Sequence, residues 1–205
     1  MKFDLVIVGV GGQGVILVSD IIGKSAVREG LSVRAAETHG MAQRGGSVEN
    51  HLRIGRDFGP LVPRGSADVL LGLEPMEAAR CLHLLSRDGI AIVNTKRVLP
   101  VSVSSGKLAY PDLDEFFEEA KRIFRKVLLL DATELAKKAG SILATNMVML
   151  GVLTRYLPLK QETIIETIKE SVPKKYLMVN LKAFELGKTV KTRSIQLSTS
   201  SKKLL

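Results

Sequence analysis

Two stretches hold most of the chemistry this chain can offer. Residues 9–14 read GVGGQG and fit the spacing G-x-G-x-x-G at Gly9, Gly11 and Gly14. Glycines allow a tight turn and close backbone approach, and amides opening a following helix attract an anion. Gly9, Gly11, Gly12, Gln13 and Gly14 are therefore candidate cofactor contacts, with Gln13 placed either to cap the helix or to meet the ligand. Glu37, 23 residues beyond Gly14, lies near where an acid would hold a ribose hydroxyl. The pattern admits a nicotinamide or flavin nucleotide, and equally a sharp turn that binds nothing.

Residues 38–47 read THGMAQRGGS. Thr38 and Gln43 are hydrogen-bonding candidates. Arg44 presents a planar fork of donors suited to a substrate carboxylate, a coenzyme phosphate or an acid on another chain. Gly45 and Gly46 let a second backbone come close. His39 is either a proton donor near neutral pH or a loop histidine bonded to backbone. Glu74 closes a strand, as a site member or as a helix cap. Asn146 is read as a cap or a buried loop contact. His51 and His83 lack metal-ligand spacing and read as structural. Cys81, Met41, Met76, Met147 and Met149 read as inert filler. No Ser/His/Asp arrangement or carboxylate pair stands out, so His39 is the lone catalytic candidate in a set that this chain does not complete.

The elements that must position these loops follow from periodicity. KFDLVIVG (2–9) is a continuous apolar run, as in a strand buried on both faces. Over 14–29, Val15, Val18, Ile22 and Ala26 share a helical face, and Gly30 stops the helix. LSVRAAE (31–37) and SVENHLRI (47–54) are strands. The second alternates, with Ser47, Glu49, His51 and Arg53 expected on a wet or interface face. These two strands are too close for a helical crossover, so they pair antiparallel through a wide loop or the second lies at the sheet edge.

Further strands are expected at 68–73, 90–95 and 127–131, with an Asp88-Gly89 turn. Pro75 opens a helix with Met76, Ala79, Leu82 and Leu85 inward. Residues 96–111 read as irregular, with a hairpin near Ser105-Gly106. Helices follow at 114–125, capped by Asp112 or Asp114, and at 133–139, 141–157, 161–171 and 174–189. The sum is an α/β fold: a Rossmann-like, mostly parallel sheet flanked by helices, in a single domain over 1–190 with a helical C-terminal part. Residues 191–205 read as a mobile basic tail.

Composition narrows the function classes. The formal charge is +9, but five basic residues unaccompanied by acids fall in 188–205. Aromatics make up 4% of the chain and do not interleave with the basic residues, which argues against nucleic acid. The longest charge-free run, between Lys138 and Arg155, is short for a membrane span and reads as a buried or partner-covered helix, the one candidate for a homodimer contact when the chain is isolated. No secretory leader is apparent, and Cys81 is the sole cysteine, so no intrachain disulfide forms and a reducing cytoplasmic setting is expected. One thiol also cannot hold an iron–sulfur cluster, which wants four.

Taken with ADVLLGLEPMEA (67–78), IVNT (92–95), NMVMLGVL (146–153) and NLKAFELG (180–187), the two loops resemble the gamma-type subunit of the 2-oxoacid:ferredoxin oxidoreductases. HGMAQRGG is the most specific part, and the match favours the indolepyruvate branch over the pyruvate, 2-oxoisovalerate and 2-oxoglutarate branches. The resemblance implies an enzyme that oxidatively decarboxylates a 2-oxoacid to its acyl-CoA and passes electrons to ferredoxin. It implies that thiamine diphosphate and iron–sulfur clusters sit on a large alpha subunit, with coenzyme A at a shared site. This chain would then be inactive alone and would meet ferredoxin only indirectly. The rival is a stand-alone nicotinamide-binding protein.

Overall fold

Eight consecutive buried residues, Phe3–Val10, form β1 in the middle of a six-stranded sheet of order β2-β3-β1-β4-β5-β6. The others are β2 (Val33–His39), β3 (Ser47–Ile54), β4 (Ala67–Gly72), β5 (Leu85–Asn94) and β6 (Lys126–Leu130). This computed structural model describes residues 2–40, 45–55, 59–99, 101–106 and 108–190. Met41, Gln43, Arg44 and the tail 191–205 lie outside them.

Strands β1, β4, β5 and β6 pair in parallel, whereas β3 runs antiparallel to both β1 and β2. The two strands around the 40–46 loop therefore pair with each other, and it is β2, not β3, that forms the edge. Parallel pairing needs a long crossover, and six to seven residues cannot supply one. Helices cover both faces. One face packs Leu5, Ile7 and Leu71 against α1 (Val15–Arg28), α5 (Ala132–Ala139), α6 (Thr145–Leu153), α7 (Gln161–Ser171) and α8 (Lys174–Thr189). The other packs Val6, Val8 and Leu70 against α2 (Pro75–Cys81) and α4 (Asp114–Ile123).

Several expectations need correction. On the expected wet or interface face of β3, Ser47 is exposed and Glu49 half-buried, but His51 and Arg53 are buried, because residues 59–62 and α2 fold over them. Arg53 Nε donates to Asp4 Oδ1 at 2.9 Å, and its NH1 donates to the Gly59 and Leu61 carbonyls. His51 Nδ1 accepts from the Val62 amide at 3.1 Å, which leaves Nε2–H to donate to Glu49 Oε1 at 2.6 Å. Cys81 Sγ donates to the other oxygen of Glu49 at 3.2 Å. The polar alternation signalled an internal network rather than solvent.

The Asp88-Gly89 turn is absorbed into β5 as an irregularity between its pairs with Ala67 and Val69. A helical turn, α3 (Val101–Ser104), stands where a hairpin was expected. Met76 and Ala79 are only partly buried, and Ala78 and Cys81 take the inward positions on α2.

The expected 141–157 helix is a 3-10 turn, Ile142–Ala144, followed by α6. Every residue of α6 from Asn146 to Leu153 is buried within the chain, so this helix supplies no dimer contact. α8 crosses it at Gly151 and Gly187, where a Cβ would run into the Phe184 and Val148 carbonyl oxygens respectively. Among the described residues no helix is long and apolar enough to cross a membrane.

Candidate functional site

Gly11–Gly14 link β1 to α1 at the carboxyl ends of the parallel strands, where open α/β sheets present ligand crevices. Gly12 and Gly14 hold φ of 100° and 78°, a region that penalises any Cβ. A Cβ at Gly14 would also meet the Asn146 amide. Gly9 is small for a different reason: a Cβ there would lie 2.8 Å from Gln13 Oε1 and 3.1 Å from Leu73 Cβ.

Gln13 occupies that space and is fully engaged. Its Oε1 accepts from the Val10 amide at 2.8 Å and its Nε2 donates to the Leu73 carbonyl at 3.2 Å. It bridges the ends of β1 and β4, just where the sheet changes direction of winding, and does not cap α1.

The second loop joins the first. Gly11 N–H donates to the Gly46 carbonyl at 2.8 Å, and Gly45 N–H returns to the Gly11 carbonyl at 3.4 Å. Gly45 has φ 78°. Gly40 N–H closes the base of the hairpin on the Ser47 carbonyl. The two glycine loops thus form one continuous rim.

A cleft of about 410 Å³ opens beneath that rim, lined by Gly11, Gly12, Gly14, Ile16, Glu37 and His39 among others. The first amides of α1 have no intrahelical acceptor, no side chain caps them, and no acid lies in that turn. They can receive an anion. Glu37 and His39 reach the cleft because strand alternation puts both on the α1 side, opposite Asn50 and Val48. His39 Nδ1–H donates to the Gly40 carbonyl at 3.2 Å, leaving Nε2 as an acceptor. Thr38 has the other parity and lies opposite Glu49, away from this cleft.

Glu74 is a cap. One carboxylate oxygen accepts from the Met76 and Glu77 amides, and the other from Tyr110 O–H at 2.7 Å and the Val98 amide. Burial, reinforced by that bond, pushes the Tyr110 phenol up from its ordinary value. Asn146 is buried with Oδ1 accepting from the Met147 amide. His83 is exposed and its Nδ1–H donates to the Arg80 carbonyl. Burial, then the hydrogen bond to Glu49, raises the Cys81 thiol well above the usual range and leaves it protonated.

Sequence reasoning missed a second recess of about 250 Å³ on the far side of Gly12-Gln13, whose walls include Lys96, Arg97, Ile142 and Leu143. The signal was available: Lys96-Arg97 follow a buried strand at the ligand-binding end of the sheet. Arg97 stacks on Tyr110, 5.1 Å from the ring centroid.

Comparison with known proteins places this geometry. A subunit named indolepyruvate oxidoreductase subunit IorB from Archaeoglobus fulgidus is 47% identical, over 91% of this chain and 94% of its own. The pyruvate/ketoisovalerate oxidoreductases common subunit gamma of Pyrococcus abyssi is 30% identical over 80% of this chain and 83% of its own. The crystal structure of the gamma subunit of a keto/oxoacid ferredoxin oxidoreductase from Geobacter sulfurreducens has the same fold, with a TM-score of 0.66 at 21% identity. That match covers 90% of this chain and 95% of that one. The profile of the pyruvate ferredoxin/flavodoxin oxidoreductase family matches residues 4–190. The chain, with its joined glycine loops, belongs to the pyruvate ferredoxin/flavodoxin oxidoreductase family.

Proposed function

We propose that this chain is the small subunit of a 2-oxoacid:ferredoxin oxidoreductase acting on indolepyruvate, and that its two glycine loops form one wall of a site completed by a large subunit. The observation that carries the reading is the pair of backbone bonds between Gly11 and Gly45-Gly46, which turns both loops into a single open edge. A self-sufficient pocket would enclose its ligand; this one leaves the helix amides, His39 and Glu37 facing a cleft with an open side.

The large subunit carries thiamine diphosphate and the iron–sulfur clusters. Cys81 is the only cysteine here and its thiol is buried under Glu49, so this chain has no thiolate to lend to a cluster. Coenzyme A suits the cleft, since the α1 amides favour phosphate and Lys96 and Arg97 stand across the loop. Arg44 and Gln43 contact the substrate, the coenzyme or the partner. Electrons leave through the large subunit to ferredoxin, in the cytoplasm. The indolepyruvate branch is favoured over the pyruvate, 2-oxoisovalerate and 2-oxoglutarate branches by the higher identity to the indolepyruvate subunit.

The nicotinamide alternative loses ground to backbone bonds between and within the loops. Gly11 N–H is used on Gly46 and Gln13 N–H on the Val10 carbonyl, so two of the loop amides are unavailable to a pyrophosphate.

Reconstitution tests the reading. The chain mixed with its large subunit is expected to restore coenzyme A-dependent oxidation of indolepyruvate, read as ferredoxin reduction, with pyruvate and 2-oxoglutarate turned over more slowly. Equal turnover by the large subunit alone would overturn it.

A further inference from the structure

We propose that the turn Ile142–Ala144 and the amino-terminal half of α8 form the surface on which the large subunit docks, an apolar centre receiving a hydrophobic segment and a lysine rim receiving carboxylates. The proposal rests on the functional reading above and adds the face and the chemistry of contact.

Among the described residues the two most exposed large hydrophobic side chains are Leu143, at 82%, and Met178, at 78%. A lone exposed leucine is ordinary. These two lie on adjoining elements: just before the turn, a Cβ at Gly140 would sit 3.4 Å from Val179 of α8. Ile142 and Tyr176 are exposed beside them. Exposed apolar groups gathered in this way mark contact surfaces.

Two of the charges around them are placed against the interest of the isolated chain. Lys174 and Lys175 open α8, with no acid in its first turn. Cations at a helix amino terminus oppose its dipole, so this choice weakens the helix slightly. Lys182 follows on α8, and α5 ends with Lys138 and with Lys137, which pairs with Glu134 at 3.6 Å within its own helix. Carboxylates on another chain would complement this rim.

Three occupants fit a basic, apolar surface, and two fit less well. A second copy related by a two-fold axis would set lysines against lysines. An anionic bilayer would satisfy the lysines but is too flat to follow the patch into the recess, whose walls Ile142 and Leu143 share with Gly12 and Gln13. An acidic-rimmed protein surface follows both, and the continuity with the glycine loops points to the subunit that completes the site.

The test uses the full chain and its large subunit. Leu143→Asp/Met178→Asp and Lys174→Glu/Lys175→Glu are compared with Val27→Asp, an exposed position on α1. Thermal melts check that all three fold as the unaltered chain does. Each double variant is expected to weaken subunit affinity by about tenfold or more. The deficit of the charge-reversed one should shrink as salt rises. Unchanged affinity in the apolar double variant, or an equal loss in Val27→Asp, would overturn the proposal. So would sedimentation with phosphatidylserine vesicles, or self-association, that the double variants abolish while subunit affinity stays intact. If the unaltered chain captures no large subunit, the functional reading falls too; if it does and the double variants match it, the docking face alone is wrong.

Discussion

Gly11 and Gly46 share a 2.8 Å backbone hydrogen bond, and Gly45 answers it on the Gly11 carbonyl. Two loops far apart in sequence are thereby held as one rim over the cleft. Gly45→Ala is expected to cost about 1–2 kcal/mol, because its φ of 78° suits only glycine. Gly65→Ala is the control: its φ is 68°, and, as at Gly45, a Cβ there would meet nothing within 4 Å. Urea melts should show similar losses for both variants. Reconstituted turnover should fall only for Gly45→Ala.

Arg53 and Asp4 are both buried, and the guanidinium also holds the Gly59 and Leu61 carbonyls. Arg53→Met leaves a buried carboxylate and two carbonyls without this partner. A loss of about 3–5 kcal/mol is expected by chemical denaturation. A loss below about 1 kcal/mol, the range of exposed pairs, would mean that water reaches this face.

Cys81 makes a prediction about pH. Its thiol value is raised in the fold, by burial first and by Glu49 second. A raised value means the contribution to stability is complete below the ordinary thiol value, near 9, and is lost as pH climbs toward the folded value. Iodoacetamide at pH 8 should therefore label native protein far more slowly than urea-unfolded protein. Stability of the unaltered chain relative to Cys81→Ala should decline only above about pH 9. Rapid labelling of the native state would show the thiol to be accessible.

The α6–α8 crossing has no room for a methyl group. Gly187→Ala and Gly151→Ala are each expected to destabilise by about 3 kcal/mol or more, since the obstruction is carbonyl backbone that cannot rotate away. Melting temperature read by circular dichroism checks this. Gly30→Ala, where a Cβ meets nothing but φ is 77°, should lose only the smaller backbone cost.

Much of this architecture was legible. The unbroken apolar run of β1, the glycine turn and the face of α1 read directly as strand, turn and helix, because each rests on local periodicity. What failed were long-range facts. Alternation in β3 showed that two environments exist, but not that residues 59–62 would close over the polar one and bury His51 and Arg53. Gln13 looked like a ligand contact because its amide stands at a helix start; only the position of Leu73, brought alongside by the sheet, shows where its bonds go. At the candidate site, spacing could place Glu37 and Gly14 near each other. It could not join Gly11 to Gly46, which depends on β3 lying beside β1.

The greasiest of the described helices, α6, already has its cover in α8. Folding of this chain therefore does not wait for a companion to cover α6, and on the proposed reading its meeting with a large subunit is a later step. Order of addition should then leave the yield of assembled enzyme unchanged, and supply of either part can set how much enzyme a cell holds.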